Sequence, residues 1–413
     1  MRARRTQVPG SRLVLPLIAT ILAAIAMVPA SAAAETGGAG EFGKPPASAS
    51  TGETPFDRQG MWIWYVEHSD GGSIARILER ARRYGIGTVY VKAGDGGNTW
   101  SQFSSSLVNA LHRGGLDVCA WQFVYGDNPV AEAKVGAAAV ARGADCLVID
   151  AEGEYEGKYA SAERYIRGLR ARIGESFPVS LAGFPYVDYH PAFPYSVFFG
   201  KGGAQYNQPQ MYWKAIGTSV RTVFEHTYLF NRLWGHPIYP LGQTYGGVGR
   251  NSIQLFRSFA ASYGGLQPSW WDWQETTTAG WQGVQSRIGP VAGYRPISSN
   301  PILKRGSSGD IVVWAQEHLR SAGESMPVTG VFGKLTGAAV RDFQKSAGLQ
   351  VDGVVGSSTW NALLRYQPIR MLWAGSMAAP ARGGSAAAAR AIPPSRPLSA
   401  SLPAKSDEID PGP

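Results

Sequence analysis

The sequence predicts a (β/α)8 barrel followed by a small helical module. Between residues 57 and 295, short β-branched and aromatic runs alternate with longer helix-forming stretches, and eight such units in about 240 residues are what a closed barrel of parallel strands requires. No Gly-rich phosphate loop opens a helix in the series, so an open doubly wound sheet is disfavoured. After residue 300 the pattern changes to two glycine-turn repeats, each leading into a helix.

The first strand is expected at 61–66, followed by a helix at 74–84 with Ser73 as its cap and Gly85 as its stop. Strand 88–92, helix 103–112, strand 117–124 and the Ala-rich helix 129–141 come next, closed by Gly143. The fourth strand spans 146–150 and is followed by helix 160–173, then a strand at 179–183. A short sixth strand at 210–212 precedes helix 220–233; strand 238–242, helix 253–263, strand 269–273 and helix 281–288 complete the count.

In the module, Val328-Thr329-Gly330-Val331-Phe332-Gly333 is echoed by Val351-Asp352-Gly353-Val354-Val355-Gly356. Each copy runs on to a Thr, Thr336 or Thr359, suited to open a helix, at 338–344 and 361–364, and Asp310 is placed to cap an earlier helix at 311–322. With Leu303-Lys304-Arg305-Gly306, Val312, Gln316, Leu319 and Thr359-Trp360, the stretch 303–366 resembles the peptidoglycan-binding domain-like family, a three-helix cell wall module. The resemblance implies binding of glycan or stem peptide in the wall, with most of the apolar residues serving as core.

Chemistry centres on the fourth strand, where the apolar run Cys146-Leu147-Val148-Ile149 meets Asp150 and Glu152. Strand side chains alternate, so the two acids project from one face, about 7 Å apart along the backbone rise, at the barrel end where such folds carry active sites. Paired carboxylates suit glycosyl transfer: one protonates the leaving oxygen while the other stabilises, orients or attacks. An acidic strand end that caps a helix or pairs with Arg is the alternative. The segment resembles the strand-four signature of family-18 glycoside hydrolases, with acids spaced 0, 3, 5 and 7. Asp145, Asp150 and Glu152 match three of these positions, and Val148 stands at the second. Gln210-Met211-Tyr212 is similar to that family's strand-six Gln-x-Tyr element, and Trp271 and Trp273 to its floor Trp. Family-25 lysozymes share the strand-four Asp-x-Glu, but their strand-one acid is absent from Met61-Trp62-Ile63-Trp64-Tyr65.

The family-18 resemblance implies that Glu152 is general acid and base, that Asp150 orients the substrate acetamido group, and that Tyr212 steadies that amide. Gln210, Trp271, Trp273, Asp188 after strand five, and Trp121 are candidates for substrate contact. Lys92 is a candidate anion anchor, and Glu154 and Glu156 lie in the loop beyond Glu152. Trp64, Tyr125, Trp213 and Tyr245 also fall near strand ends, where aromatic faces can stack on sugars, although each serves packing equally well.

Residues 1–34 read as a secretory signal peptide: Arg2, Arg4, Arg5 and Arg12 precede an apolar run to Val28 and small-residue cleavage sites. An uncleaved anchor is the rival; after cleavage no comparable apolar run remains for a membrane. Residues 35–56 form a Gly/Ala/Pro/Ser/Thr-rich leader and 367–413 a tail of disordered composition. The domains are therefore expected at 57–295 (barrel) and 300–366 (wall module). Of the net charge of +9, four positive charges belong to the signal segment, and the folded region keeps +5. That suits an anionic wall, or solubility alone.

Basic runs interleaved with aromatics, as nucleic-acid binding would need, are absent. The six His are scattered and neither His-x-x-x-His nor Cys-x-x-Cys occurs, so no metal and no cofactor is expected. Cys119 and Cys146 lie in strand-like runs and are either a disulfide or two buried thiols. The expectation is a secreted, wall-associated, monomeric glycoside hydrolase acting on peptidoglycan or a related N-acetylated glycan. The alternatives are an inactive barrel that binds the wall and a hydrolase of another polysaccharide.

Overall fold

The computed structural model describes residues 53–285 and 288–373; the expected signal peptide and most of the leader and tail lie outside them. Among the described residues there are nine strands: β1 (Gly60–Ile63), β2 (Thr88–Asp95), β3 (Asn98–Thr99), β4 (Asp117–Val124), β5 (Cys146–Ala151), β6 (Val179–Ala182), β7 (Tyr206–Asn207), β8 (Leu241–Gln243) and β9 (Ser269–Trp271). Eight run parallel in the order β7-β6-β5-β4-β2-β1-β9-β8, and β3 folds back antiparallel on β2. Parallel bridges Asn207↔Ile238 and Gln210↔Leu241 join the two ends, closing the barrel.

Local chemistry sets the connecting helices. The side chains of Ser73, Ser104, Asn128 and Ser219 accept from the backbone N–H groups of Arg76, Leu107, Ala131 and Thr222, capping helices Ile74–Tyr84, Ser105–Arg113, Pro129–Ala141 and Val220–Asn231. The last barrel helix, Thr278–Gln285 among the described residues, starts before the expected residue 281, because the Thr277 hydroxyl accepts from Gly280 N (3.2 Å); residues 286 and 287 of the expected span lie outside the described residues. The sixth strand also differs from expectation: it is assigned at Tyr206–Asn207, upstream of 210–212. Pro209 has no N–H to give to the ladder, so pairing to β6 continues only through Gln208 N to Leu181 O (2.8 Å) and Gln210 N to Gly183 O (3.0 Å). Tyr212 then opens the short helix Trp213–Ile216.

Alternation divides the apolar residues into two layers. Trp62, Tyr90, Cys119, Trp121, Cys146, Val148 and Ala182 fill the barrel interior. Met61, Ile63, Val89, Val91, Val118, Leu147 and Ile149 pack outward under the helices. Cys119 and Cys146 face each other in register on β4 and β5 and are disulfide-bonded, with Cα atoms 4.6 Å apart.

The module consists of helices Asp310–Ser321, Lys334–Ser346 and Ser357–Leu363. Its sequence repeat becomes a repeated hydrogen-bond pattern. Gln316 Oε1 accepts from Thr329 N (2.8 Å) and Gly330 N (2.9 Å) while its Nε2 donates to Val331 O (3.0 Å). Gln344 Oε1 accepts from Asp352 N (3.1 Å) and Gly353 N (2.9 Å) while its Nε2 donates to Val354 O (3.0 Å). Each helix thus clamps the glycine turn that follows it. Asp310 does not cap its own helix; its carboxylate crosses to the barrel and accepts from Ser196.

Candidate active site

β5 turns Cys146, Val148 and Asp150 into the barrel, and Glu152 follows one residue beyond its end. Gln210 projects from the strand-six segment and bridges both acids: its Nε2 donates to Asp150 Oδ1 (3.0 Å) and to Glu152 Oε1 (3.0 Å). Those two oxygens therefore lie no farther apart than twice that distance. Asp150, Glu152 and Gln210 are all buried, at 7%, 5% and 8% exposure. Burial first, and the neighbouring Glu152 charge second, push the Asp150 carboxyl well above the usual carboxylate range, while Lys92 opposes the rise. Burial likewise raises the Tyr212 phenol well above its ordinary value, helped by Tyr245 and the two acids, so it stays a neutral O–H donor at the same barrel end. The Tyr245 ring meets it edge-on at 5.7 Å.

Lys92 is buried on β2, with Nζ 2.7 Å from Asp95 Oδ2 and within 4.4, 4.8 and 5.5 Å of the ring centroids of Trp100, Trp121 and Trp64. Tyr125 donates to the other Asp95 oxygen (2.8 Å). Trp121 is a floor residue: it is 2% exposed and its indole N–H donates to Ile63 O (3.1 Å). Trp271 is half-buried above it, edge-on to both Trp121 (5.4 Å) and Trp62 (5.7 Å).

Two candidates lie apart from this cluster. Trp273 points to the outer layer, where its indole donates to Asp70 Oδ2 (3.0 Å) and its ring packs edge-on to Trp281 (5.1 Å). Asp188 is paired with His226 on helix Val220–Asn231 (2.7 Å). Asp145, at the base of the strand, accepts from Val118 N (2.7 Å) and pairs with His112 (2.7 Å). Glu156 pairs with His190 (2.7 Å), and Glu154 is exposed.

Sequence reasoning missed Asp95 and Asp272. Asp272 is 1% exposed, its Oδ1 accepts from Glu275 N (3.2 Å), and burial followed by the Glu275 charge raises its carboxyl to about 7. It is also among the charges acting on Tyr212 and Tyr245. Among the described residues no group of three or more His, Cys, Asp or Glu is arranged to hold a metal ion, and no helix is long and apolar enough to cross a membrane.

Fold and site together define a (β/α)8 barrel with an acid pair at its carboxyl end, joined to a helical module. That module is a peptidoglycan-binding domain: residues 308–363 match the family model of that description. The chain is 41% identical over 68 residues to a spore cortex-lytic enzyme of Bacillus cereus, covering 16% of this chain and 26% of that protein. It is 44% identical over 69 residues to the N-acetylmuramoyl-L-alanine amidase CwlL of Bacillus licheniformis, covering 16% and 19%. The chain thus spans a quarter or less of CwlL and about a quarter of the cortex-lytic enzyme. An endo-β-1,4-mannanase structure from Thermotoga petrophila aligns over 53% of this chain and 68% of its own, with 11% identity and a TM-score of 0.41.

Proposed function

We propose that the chain is an exported glycoside hydrolase that cleaves peptidoglycan or a related N-acetylated glycan, with residues 57–295 as its catalytic barrel and 300–366 as its wall-binding module. The observation that carries the reading is the buried Asp150–Glu152 pair bridged by Gln210 at the carboxyl end of the barrel. Glu152 protonates the glycosidic oxygen as the C–O bond breaks, and the substrate's own acetamido oxygen closes onto the anomeric carbon. Asp150 orients that amide and Tyr212 donates to it. Glu152 then takes a proton from the water that reopens the ring. Trp271 supplies an apolar face for a sugar ring.

The cell-wall setting is supported by the peptidoglycan-binding domain, and the two Bacillus relatives carry names of wall-acting enzymes. Because so little of those relatives is covered, the proposed chemistry rests on the barrel's own residues. Residues 1–34 serve as the export signal, and the mature protein works as a monomer. Purified protein incubated with peptidoglycan should release new reducing ends, and Glu152→Gln should release none; no release from either overturns the proposal.

The second reading, a barrel that binds wall without cutting it, is favoured by Val148, an aliphatic residue at the second position of the family-18-like acid pattern. Sedimentation with walls but no reducing ends is its signature.

A further inference from the structure

The module is fastened to the barrel by buried polar contacts. Asp310 has 0% exposure; its carboxylate accepts from Ser196 N (2.7 Å) and Ser196 Oγ (2.6 Å), and its own N–H donates to Pro191 O (2.7 Å). Gly309, at φ 108°, lies so close that a Cβ there would stand 2.8 Å from Pro191. Trp314 donates its indole N–H to Leu233 O (2.8 Å) and meets Trp234 edge-on at 5.2 Å. Interfaces between domains of one chain are mobile by default. A buried carboxylate is costly unless its partners are held in place, so this seat specifies a single docked geometry.

The barrel segment that receives the module also touches the turn after Glu152. Ala192 O accepts from Gly157 N (2.8 Å), and His190 pairs with Glu156 (2.7 Å) while stacking on Phe184 at 3.4 Å. Within the turn Gly153–Tyr155, Tyr155 N donates back to Glu152 O (3.0 Å). Hydrogen bonds and short chain segments therefore run without a gap from Asp310, through Pro191 and Ala192, to Gly157 and the turn beside Glu152.

We propose that the peptidoglycan-binding module is a structural part of the barrel's carboxylate site: seated on Pro191 to Ser196, it holds the loop that follows Glu152. Gly309 and Asp310 are positioning residues for that loop. The name "active site" for the loop rests on the proposed function; the ordering of the loop does not.

Hydrogen exchange of the full chain tests it without reference to catalysis, in the wild type, in Asp310→Ala, in Gly309→Val and in the double variant. Asp310→Ala removes both acceptors and leaves Ser196 N–H and Oγ–H with nothing to donate to, and Gly309→Val acts through the steric overlap with Pro191. At least tenfold faster exchange in both 190–196 and 153–158 is expected, with helix Lys334–Ser346 still protected. If that helix also loses protection the module has unfolded off the barrel, and the same reading of 153–158 applies. Opening at 190–196 with unchanged exchange at 153–158 overturns the proposal, as does a double variant whose junction stays closed. Where the wild type releases reducing ends, both single variants should lose at least tenfold in rate with Glu152 intact; a wild type without activity counts against the proposed function alone.

Discussion

Lys92 and Asp95 form a 2.7 Å ion pair from positions three apart on one strand, which regular alternation would place on opposite faces. A bulge between Lys92 and Gly94 shifts the register against β4 and brings both side chains to the same face. The ammonium ion is thereby fixed among Trp64, Trp100 and Trp121, and its charge works against the rise in the Asp150 pKa.

Replacing Lys92 with Met removes the cation that favours ionised Asp150, so the Asp150 carboxyl should hold its proton to still higher pH. If ionised Asp150 orients substrate, the acid limb of the pH–rate profile moves to higher pH in Lys92→Met, and Lys92→Arg restores it in part. Loss of the ion pair should also lower stability by about 1 kcal/mol, since Asp95 keeps Tyr125 and partial solvent contact. An unshifted acid limb in Lys92→Met removes Lys92 from the electrostatics of the site.

Trp271 and Trp273 separate binding from packing. Trp271→Ala removes a half-buried ring at the barrel mouth and should raise KM roughly tenfold with little change in the melting temperature. Trp273→Ala empties an outer-layer site of 3% exposure against Trp281 and should cost about 3–5 kcal/mol of stability in denaturant unfolding. The reverse pattern would place the sugar-binding face on the wrong tryptophan.

The fold was legible because strand runs, caps and glycine stops agree with one another: Ser73 and Gly85 bound the same helix in sequence and structure. The shared face of Asp150 and Glu152 followed from strand alternation, whereas Gln210 was singled out only through the family-18 resemblance of Gln210-Met211-Tyr212, and its bonds to both acids came from the structure. What alternation misplaced has local causes. The bulge hid Asp95, and Pro209 shortened the sixth strand. Trp273 lies two residues beyond the end of β9, where strand parity no longer governs the side chain. The docking role of Asp310 was hidden for a different reason: a residue before a helix looks like a cap, and nothing in one sequence reveals a partner 114 residues away.

The Cys119–Cys146 bond closes a segment with a sequence separation of 27. Loop-closure arithmetic for that length gives about 3.5 kcal/mol of stabilisation through the unfolded chain. The double variant Cys119→Ala/Cys146→Ala should lose that amount in urea unfolding under oxidising conditions, and addition of reductant should leave the variant unchanged while weakening the wild type. Equal stability of the two proteins without reductant would mean that the bond is not formed in solution.

Asp272 makes stability depend on pH in a direction that can be stated in advance. Its folded pKa is raised from 3.8 to about 7, chiefly by burial. Between those values the folded chain holds a proton that the unfolded chain has released, so stability falls as pH rises through the window and levels off above it, by up to about 1.4 kcal/mol per pH unit. Asp310, also raised to about 7 by burial, acts in the same sense. His318 acts in the opposite sense: burial lowers it to about 4, which costs stability as pH falls below its unfolded value of 6.5. The wild-type curve alone therefore mixes contributions, and the difference from Asp272→Asn isolates one of them. The Asn side-chain oxygen still accepts from Glu275 N but binds no proton, so the variant should gain on the wild type steadily from pH 4 to pH 7. Urea unfolding at intervals across that range measures the difference, and parallel curves for the two proteins would show that Asp272 titrates normally.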